Sequence, residues 1–130
     1  MDARLVDDQI AGILSRIKWI RFIRFSCDQK SQIEPIRRTI DLLGQHGIRP
    51  YRIFIYLLVT EDIEDAAERV EALKGYKAIN IYAQAERNER LGILPNKAQL
   101  EFQQRYVYGG CYRSETWQEY CSRKGFSYNN

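Results

Sequence analysis

At 130 residues and a net charge of +3, the chain is one domain or part of a larger one, long enough to bury a real core. Both signs of charge are mixed along it with no long basic run, which argues against nucleic acid as a partner. The most apolar run, Ile53 to Val59, is far too short to span a membrane. Asp2, Arg4, Asp7 and Asp8 interrupt any signal-peptide pattern, so the expectation is a cytoplasmic protein with reduced thiols.

Asp2-Ala3-Arg4-Leu5 forms a short polar lead. Val6, Ile10, Ile13, Leu14 and Ile17 then fall at intervals of three and four, one stripe on a helix. Asp7 and Asp8 suit its first turn, and Arg16 and Lys18 its last, as the helix dipole favours. A first helix is predicted over Val6 to Lys18. Ile20 to Asp28 follows as a strand, rich in β-branched and aromatic residues and ending in the polar cluster Ser26-Cys27-Asp28. Ser31-Gln32-Ile33-Glu34 reads as a capping box, with Pro35 in the first turn of a second helix. Its stripe is Ile33, Ile36, Ile40 and Leu43, and Gly47 is its left-handed cap.

Pro50 is placed at the start of the second strand, where a missing N–H matters least. Arg52 to Val59 is nearly continuous in apolar residues, the pattern of a parallel strand buried on both faces. Thr60-Glu61-Asp62 caps a third helix with the stripe Ile63, Ala66, Ala67, Val70 and Leu73, ended by Gly75; a third strand is predicted over about Ala78 to Ala83. The strands begin roughly 26 to 31 positions apart with one amphipathic helix between each pair, the spacing of βαβ units. After Gln84 the rhythm breaks into an irregular loop, Glu86 to Leu94. Asn96 can cap a helix through Leu100, Phe102 and Tyr106, which Gly109-Gly110 breaks; Ser114 can cap a last helix with Trp117, Tyr120 and Cys121, closed by Gly125. One domain is expected over 1–130, with βα units over 1–84, loop and helices over 85–130, and a frayed tail from Ser127.

In parallel α/β folds the working surface lies beyond the carboxyl ends of the strands. Here that surface comprises Ser26, Cys27 and Asp28; Leu58, Val59, Thr60 and Glu61; and Tyr82, Gln84 and Glu86. Its carboxylates, hydroxyl and amide could hold ribose hydroxyls or an ammonium group, while Asp28 could equally open a turn and Thr60, Glu61 and Asp62 could only cap a helix. Arg24 shares a strand face with Phe22 and Ser26. Facing a barrel interior it needs an anionic partner; facing helices it reaches past them to solvent. Cys27 stands alone and Cys111 and Cys121 are ten apart, so no metal site follows from their spacing. The only histidine, His46, sits at a helix end before Gly47 and suits a dipole or capping role. Glycine-rich nucleotide loops and a serine-hydrolase arrangement are missing from the sequence.

Taken together, Asp2-Ala3-Arg4-Leu5, Ile23-Arg24-Phe25-Ser26-Cys27-Asp28, Arg52-Ile53-Phe54-Ile55-Tyr56-Leu57-Leu58-Val59 and Ala67-Glu68-Arg69-Val70 resemble the radical S-adenosylmethionine superfamily, and Phe102 to Tyr120 resembles the close of such proteins. The resemblance implies a TIM-like partial barrel, (β/α)6, of which this α/β chain would form roughly half, with C-terminal helices added. It also implies a [4Fe-4S] cluster on C-x-x-x-C-x-x-C and S-adenosylmethionine cleaved to a radical. That cysteine motif is absent here, so the chain alone would bind neither group in the family manner and would be inactive alone. Carried over residue by residue, Ser26 and Asp28 match the fourth strand end that helps hold ribose or methionine. Leu58 and Val59 match the fifth, near the cofactor, and Tyr82 and Gln84 the sixth, near adenine or substrate. Arg4 and Arg24 are the expected substrate-side cations. The expected partner is a missing N-terminal half-barrel or a second copy in a homodimer. The alternative is a non-catalytic half-barrel that binds a protein or small ligand.

Overall fold

The computed structural model describes residues 1–17, 22–75, 79–106 and 115–126. Strands β1 (Ile23–Ser26), β2 (Ile53–Val59) and β3 (Asn80–Ala85) form one open parallel sheet in the order β1-β2-β3. Among the described residues the α-helices are α1 (Asp8–Ser15), α2 (Ile33–Gln45), α3 (Ile63–Leu73), α4 (Lys97–Arg105) and α5 (Trp117–Lys124). Strand order follows chain order without reversal, and crossovers of one hand then leave their helices on one side of a sheet.

Burial along the strands records that one-sidedness. Ile23, Phe25 and Cys27, then Ile53, Ile55, Leu57 and Val59, then Ile81, Ala83 and Ala85 are all buried. All of these but Ala85 join Ile36, Ile40 and Leu43 of α2, Ala66, Val70 and Leu73 of α3, Phe102 of α4 and Trp117 of α5 in one core. The alternate residues are half-buried or exposed: Phe22, Arg24 and Ser26; Phe54, Tyr56 and Leu58; Asn80, Tyr82 and Gln84. Among the described residues the second strand is therefore fully buried on one face and half-buried on the other, not buried on both. Its unbroken apolar run conceals an alternation, in which isoleucine, leucine and valine take the core side while Phe54 and Tyr56 take the other.

Several local devices differ from the predicted ones. Asp7 caps α1 by accepting from the Ile10 N–H at 2.9 Å, so the helix starts at Asp8. The expected Ser31 box is replaced by a 3₁₀ turn, Lys30–Gln32, whose Gln32 Oε1 accepts from the N–H groups of Asp28 and Gln29 at 2.6 and 3.0 Å. Pro50 opens a second 3₁₀ turn, Pro50–Arg52, and the strand begins only at Ile53. The third strand lies two residues later than expected, at Asn80–Ala85. Asn96 and Gln99 form the reciprocal cap of α4, while α5 is capped by Thr116, which accepts from the Glu119 N–H at 3.1 Å. Lys18, Ile20, Arg21, Ala78, Gly109, Gly110, Ser114 and the tail from Ser127 lie outside the described residues. Among the described residues no helix is long and apolar enough to cross a membrane.

Gly47 ends α2 as expected, at φ +85°. Ile48 N–H donates back to Leu43 O at 2.9 Å, closing the left-handed cap. Gly44, inside α2, has open space where a Cβ would stand. Gly47→Ala is expected to destabilise by about 1 kcal/mol in urea unfolding, and Gly44→Ala to stabilise by about 0.5 kcal/mol. Changes of the same sign at both positions would contradict the left-handed end of α2.

Candidate functional site

Parallel pairing fixes what stands beside what on the uncovered face. Arg24 registers with Phe54, and Phe54 with Asn80; Ser26 registers with Tyr56, and Tyr56 with Tyr82; Leu58 registers with Gln84. The face is thus built in tiers across the strands. Its rings touch: Phe22 and Phe54 have centroids 6.0 Å apart in edge-to-face contact, Phe54 and Tyr56 5.2 Å, and Tyr56 and Tyr82 5.7 Å. Contacts of this kind contribute about 0.5–1.5 kcal/mol each beyond area burial. They hold the rings in place while leaving them partly open to solvent.

Arg24 and Ser26 are exposed on this face, and the guanidinium of Arg24 has no partner among the described residues. The two orientations open to Arg24 in the sequence are thereby resolved: it points away from the helices, beside the rings. Asn80 is committed, its amide donating to Tyr51 O at 2.9 Å and Ile53 O at 3.3 Å.

The carboxyl ends of the strands are locked from the helix side. Arg69 of α3 is fully buried. Its Nη1 donates to Cys27 O, its Nη2 to Leu58 O at 2.8 Å and its Nε to Asp65 Oδ2 at 2.9 Å. On the other side of the same strand end, Asp28 Oδ1 accepts from Leu58 N–H at 3.2 Å. The end of β1 is therefore tied to the end of β2 through both a buried cation and an exposed carboxylate. Lys30 extends the lattice outward to Glu68 at 2.8 Å. At the next strand end, Gln99 of α4 donates to Val59 O at 2.9 Å and Gln103 Oε1 accepts from Ala85 N–H at 2.8 Å. Beyond these ends lies a cleft of about 280 Å³ lined by Thr60, Glu61, Asp62, Glu86, Ile93, Leu94 and Gln99.

Among the residues the sequence singled out, Arg24, Ser26, Leu58, Tyr82 and Gln84 share the uncovered face, and Asp28 stands at its carboxyl end with one oxygen committed to Leu58. Val59 is not brought to them. Its side chain is fully buried on the helix side and only its carbonyl reaches the strand end. Arg4 is also separate: it pairs with Asp2 at 2.8 Å in a 3₁₀ turn (Ala3–Leu5) docked on α2 through Ala3 O. That hydrogen-bonded guanidinium holds the Asp2 carboxyl down at about 2. Thr60 and Asp62 cap α3, as one of their two readings had it: Thr60 Oγ1 accepts from Asp62 N–H and Asp62 from Asp65 N–H. His46 meets Asp8 at 3.0 Å and ties α2 to α1, away from the sheet.

The described thiols do not fit an iron–sulfur cluster. Cys27 lies in the core, and Cys121 is buried in α5. Burial pushes both thiols up to about 11, whereas a cluster ligand must be a thiolate. Among the described residues no group of three or more histidine, cysteine or acidic side chains could hold a metal ion.

In the sequence Arg69 enters only within the stretch Ala67-Glu68-Arg69-Val70, with no role attached, and Gln99 is not singled out. Each sits one step from an apolar stripe and reads as solvated surface. The available signal was Asp65 at i−4 of Arg69, which marks an ion pair but not its burial. Comparison with family models, with curated proteins and with solved structures finds no match.

Removing Arg69 leaves the carbonyls of Cys27 and Leu58 and the Asp65 carboxylate without their donor. Arg69→Met is expected to cost about 3–5 kcal/mol in urea unfolding. A loss below about 1 kcal/mol would show that these groups do not depend on the guanidinium.

Proposed function

We propose that the chain is a half-barrel that works through the uncovered face of its sheet. In this proposal it supplies the cofactor- and substrate-side strands of a radical S-adenosylmethionine barrel, while another half holds the cluster. The one-sidedness of the sheet carries the proposal. Three parallel strands in sequential order, helices behind and aromatic tiers in front, resemble a barrel wall seen from inside. A finished open sheet of this kind would be expected to cover its second face with helices.

The residues support a lining role and not a cluster role. Ser26, Tyr82 and Gln84 offer hydroxyl and amide groups, and Asp28 keeps one carboxylate oxygen uncommitted, a set suited to ribose hydroxyls or an ammonium group. S-adenosylmethionine, when bound, would supply the radical chemistry. The chain's own residues would orient the cofactor and exclude water from the space over the rings. The partner that completes this arrangement is a strand-bearing half with C-x-x-x-C-x-x-C. A second copy of this chain would cover the face without bringing that motif. The non-catalytic reading, a half-barrel that only binds, draws on the same face and needs no second half.

Anaerobic reconstitution with iron and sulfide separates the two. The chain is tested alone and together with the product of the coding sequence immediately upstream. The enzymatic proposal expects visible cluster absorbance and 5′-deoxyadenosine only in the mixture. No cluster in either sample would overturn it in favour of the binding module.

A further inference from the structure

The uncovered face has a distribution of charge that the half-barrel proposal does not use. Neither the tier of Arg24, Phe54 and Asn80 nor that of Ser26, Tyr56 and Tyr82 carries a carboxylate. The acids gather beyond the carboxyl ends instead, at Asp28, Glu61, Asp62 and Glu86. Among the described residues of these two tiers Arg24 is the one charged side chain, with the Met1 ammonium donating to its carbonyl at 2.9 Å, and its guanidinium has no partner among the described residues. Asn80, on the same tier, is held by two backbone carbonyls and leaves the arginine as that tier's open donor.

Size narrows the occupant. Three strands about 4.8 Å apart and about 20 Å long present roughly 300 Å². A protein docked on this face alone needs about 800 Å² per partner, whereas a half that completes a barrel pairs with the sheet edges and leaves the face as an interior. A second copy closing a barrel by a two-fold axis along the strands would also set Arg24 opposite Arg24, like charge facing like. Successive tiers stand about 7 Å apart along a strand, the length of one or two fused rings. A flat ring over Tyr56 and Tyr82 can therefore place a carboxylate on the tier of Arg24.

We infer that the uncovered face binds a small flat aromatic carboxylate, held by face and edge contacts with the mutually tilted rings of Phe54, Tyr56 and Tyr82, with its anionic group on Arg24. This rests on the reading of that face as the working face, and names the ligand class it takes. Arg24 supplies a forked, permanently charged donor matched to a carboxylate. The rings supply stacking area already fixed by their mutual contacts. The acids beyond the strand ends repel the same charge and set the ligand's direction.

The test uses the whole chain and two probes of one shape, 2-naphthoate and the neutral 2-naphthamide, followed by shifts of the Phe54, Tyr56 and Tyr82 ring protons in NMR titrations. The acid is expected to bind about tenfold more tightly than the amide, and Arg24→Gln to abolish that difference. Arg90→Gln, which removes one exposed positive charge from the loop, is expected to leave it intact. Equal affinity for acid and amide, equal losses in the two variants, or no shift at the three rings would each overturn the inference. Cluster assembly in the mixed sample does not depend on either probe, so that experiment can succeed where this one fails.

Discussion

Arg69 is the residue on which the arrangement of this sheet depends. A guanidinium with no contact to solvent is costly unless every donor is used and a carboxylate balances the charge. Here Asp65 balances it from the preceding turn of α3, and two further donors, one on each terminal nitrogen, go to Cys27 O and Leu58 O. Parallel strands end in carbonyls that no further ladder can satisfy. One side chain meets that need at two strands at once and fixes how α3 crosses their ends. Gln99 does the same for Val59 from α4.

Locking the ends from behind frees the front. Asp28, Ser26 and Gln84 do not have to hold the sheet together alone, and the tiers between them carry rings and an arginine whose guanidinium has no partner among the described residues. The helix side is closed and mixes aliphatic side chains with Phe25, Phe102 and Trp117, while the other side carries Phe54, Tyr56 and Tyr82 half-open. This division suits a wall that lines a site. It also explains why the described cysteines are unsuitable as ligands, since both sit on the closed side of the molecule where burial keeps them protonated.

Much of the fold is legible in the residues. The stripes of α2 and α3, the Asn96 cap and the left-handed Gly47 and Gly125 follow from spacing and residue type. The face assignment of β2 was harder, because Ile53 to Val59 is apolar throughout and periodicity cannot separate two apolar faces. Shape separates them only up to Leu57, where aliphatic residues alternate with Phe54 and Tyr56 and only the aliphatic ones are fully buried; Leu58 shares the face of the rings. Arg24 could not be oriented from its own strand, since its side depends on where the crossovers place the helices. Arg69 and Gln99 were hidden for a related reason. A charged or amide residue beside an apolar stripe reads as surface until the carbonyls it must satisfy are brought to it by the fold. Thr116 in place of Ser114 as the α5 cap is a matter of register between two neighbouring hydroxyl residues.

Neighbouring positions on β2 offer the most direct measurement of whether the sheet has one closed and one working face. Ile55→Glu and Tyr56→Glu place the same charge one residue apart, on opposite sides. Ile55→Glu is expected to abolish cooperative urea unfolding, because it buries an unpaired carboxylate in the core. Tyr56→Glu is expected to unfold cooperatively, with a loss of about 1–2 kcal/mol from the broken ring contacts. Equal disruption by the two substitutions would contradict the open aromatic face on which the proposed function rests.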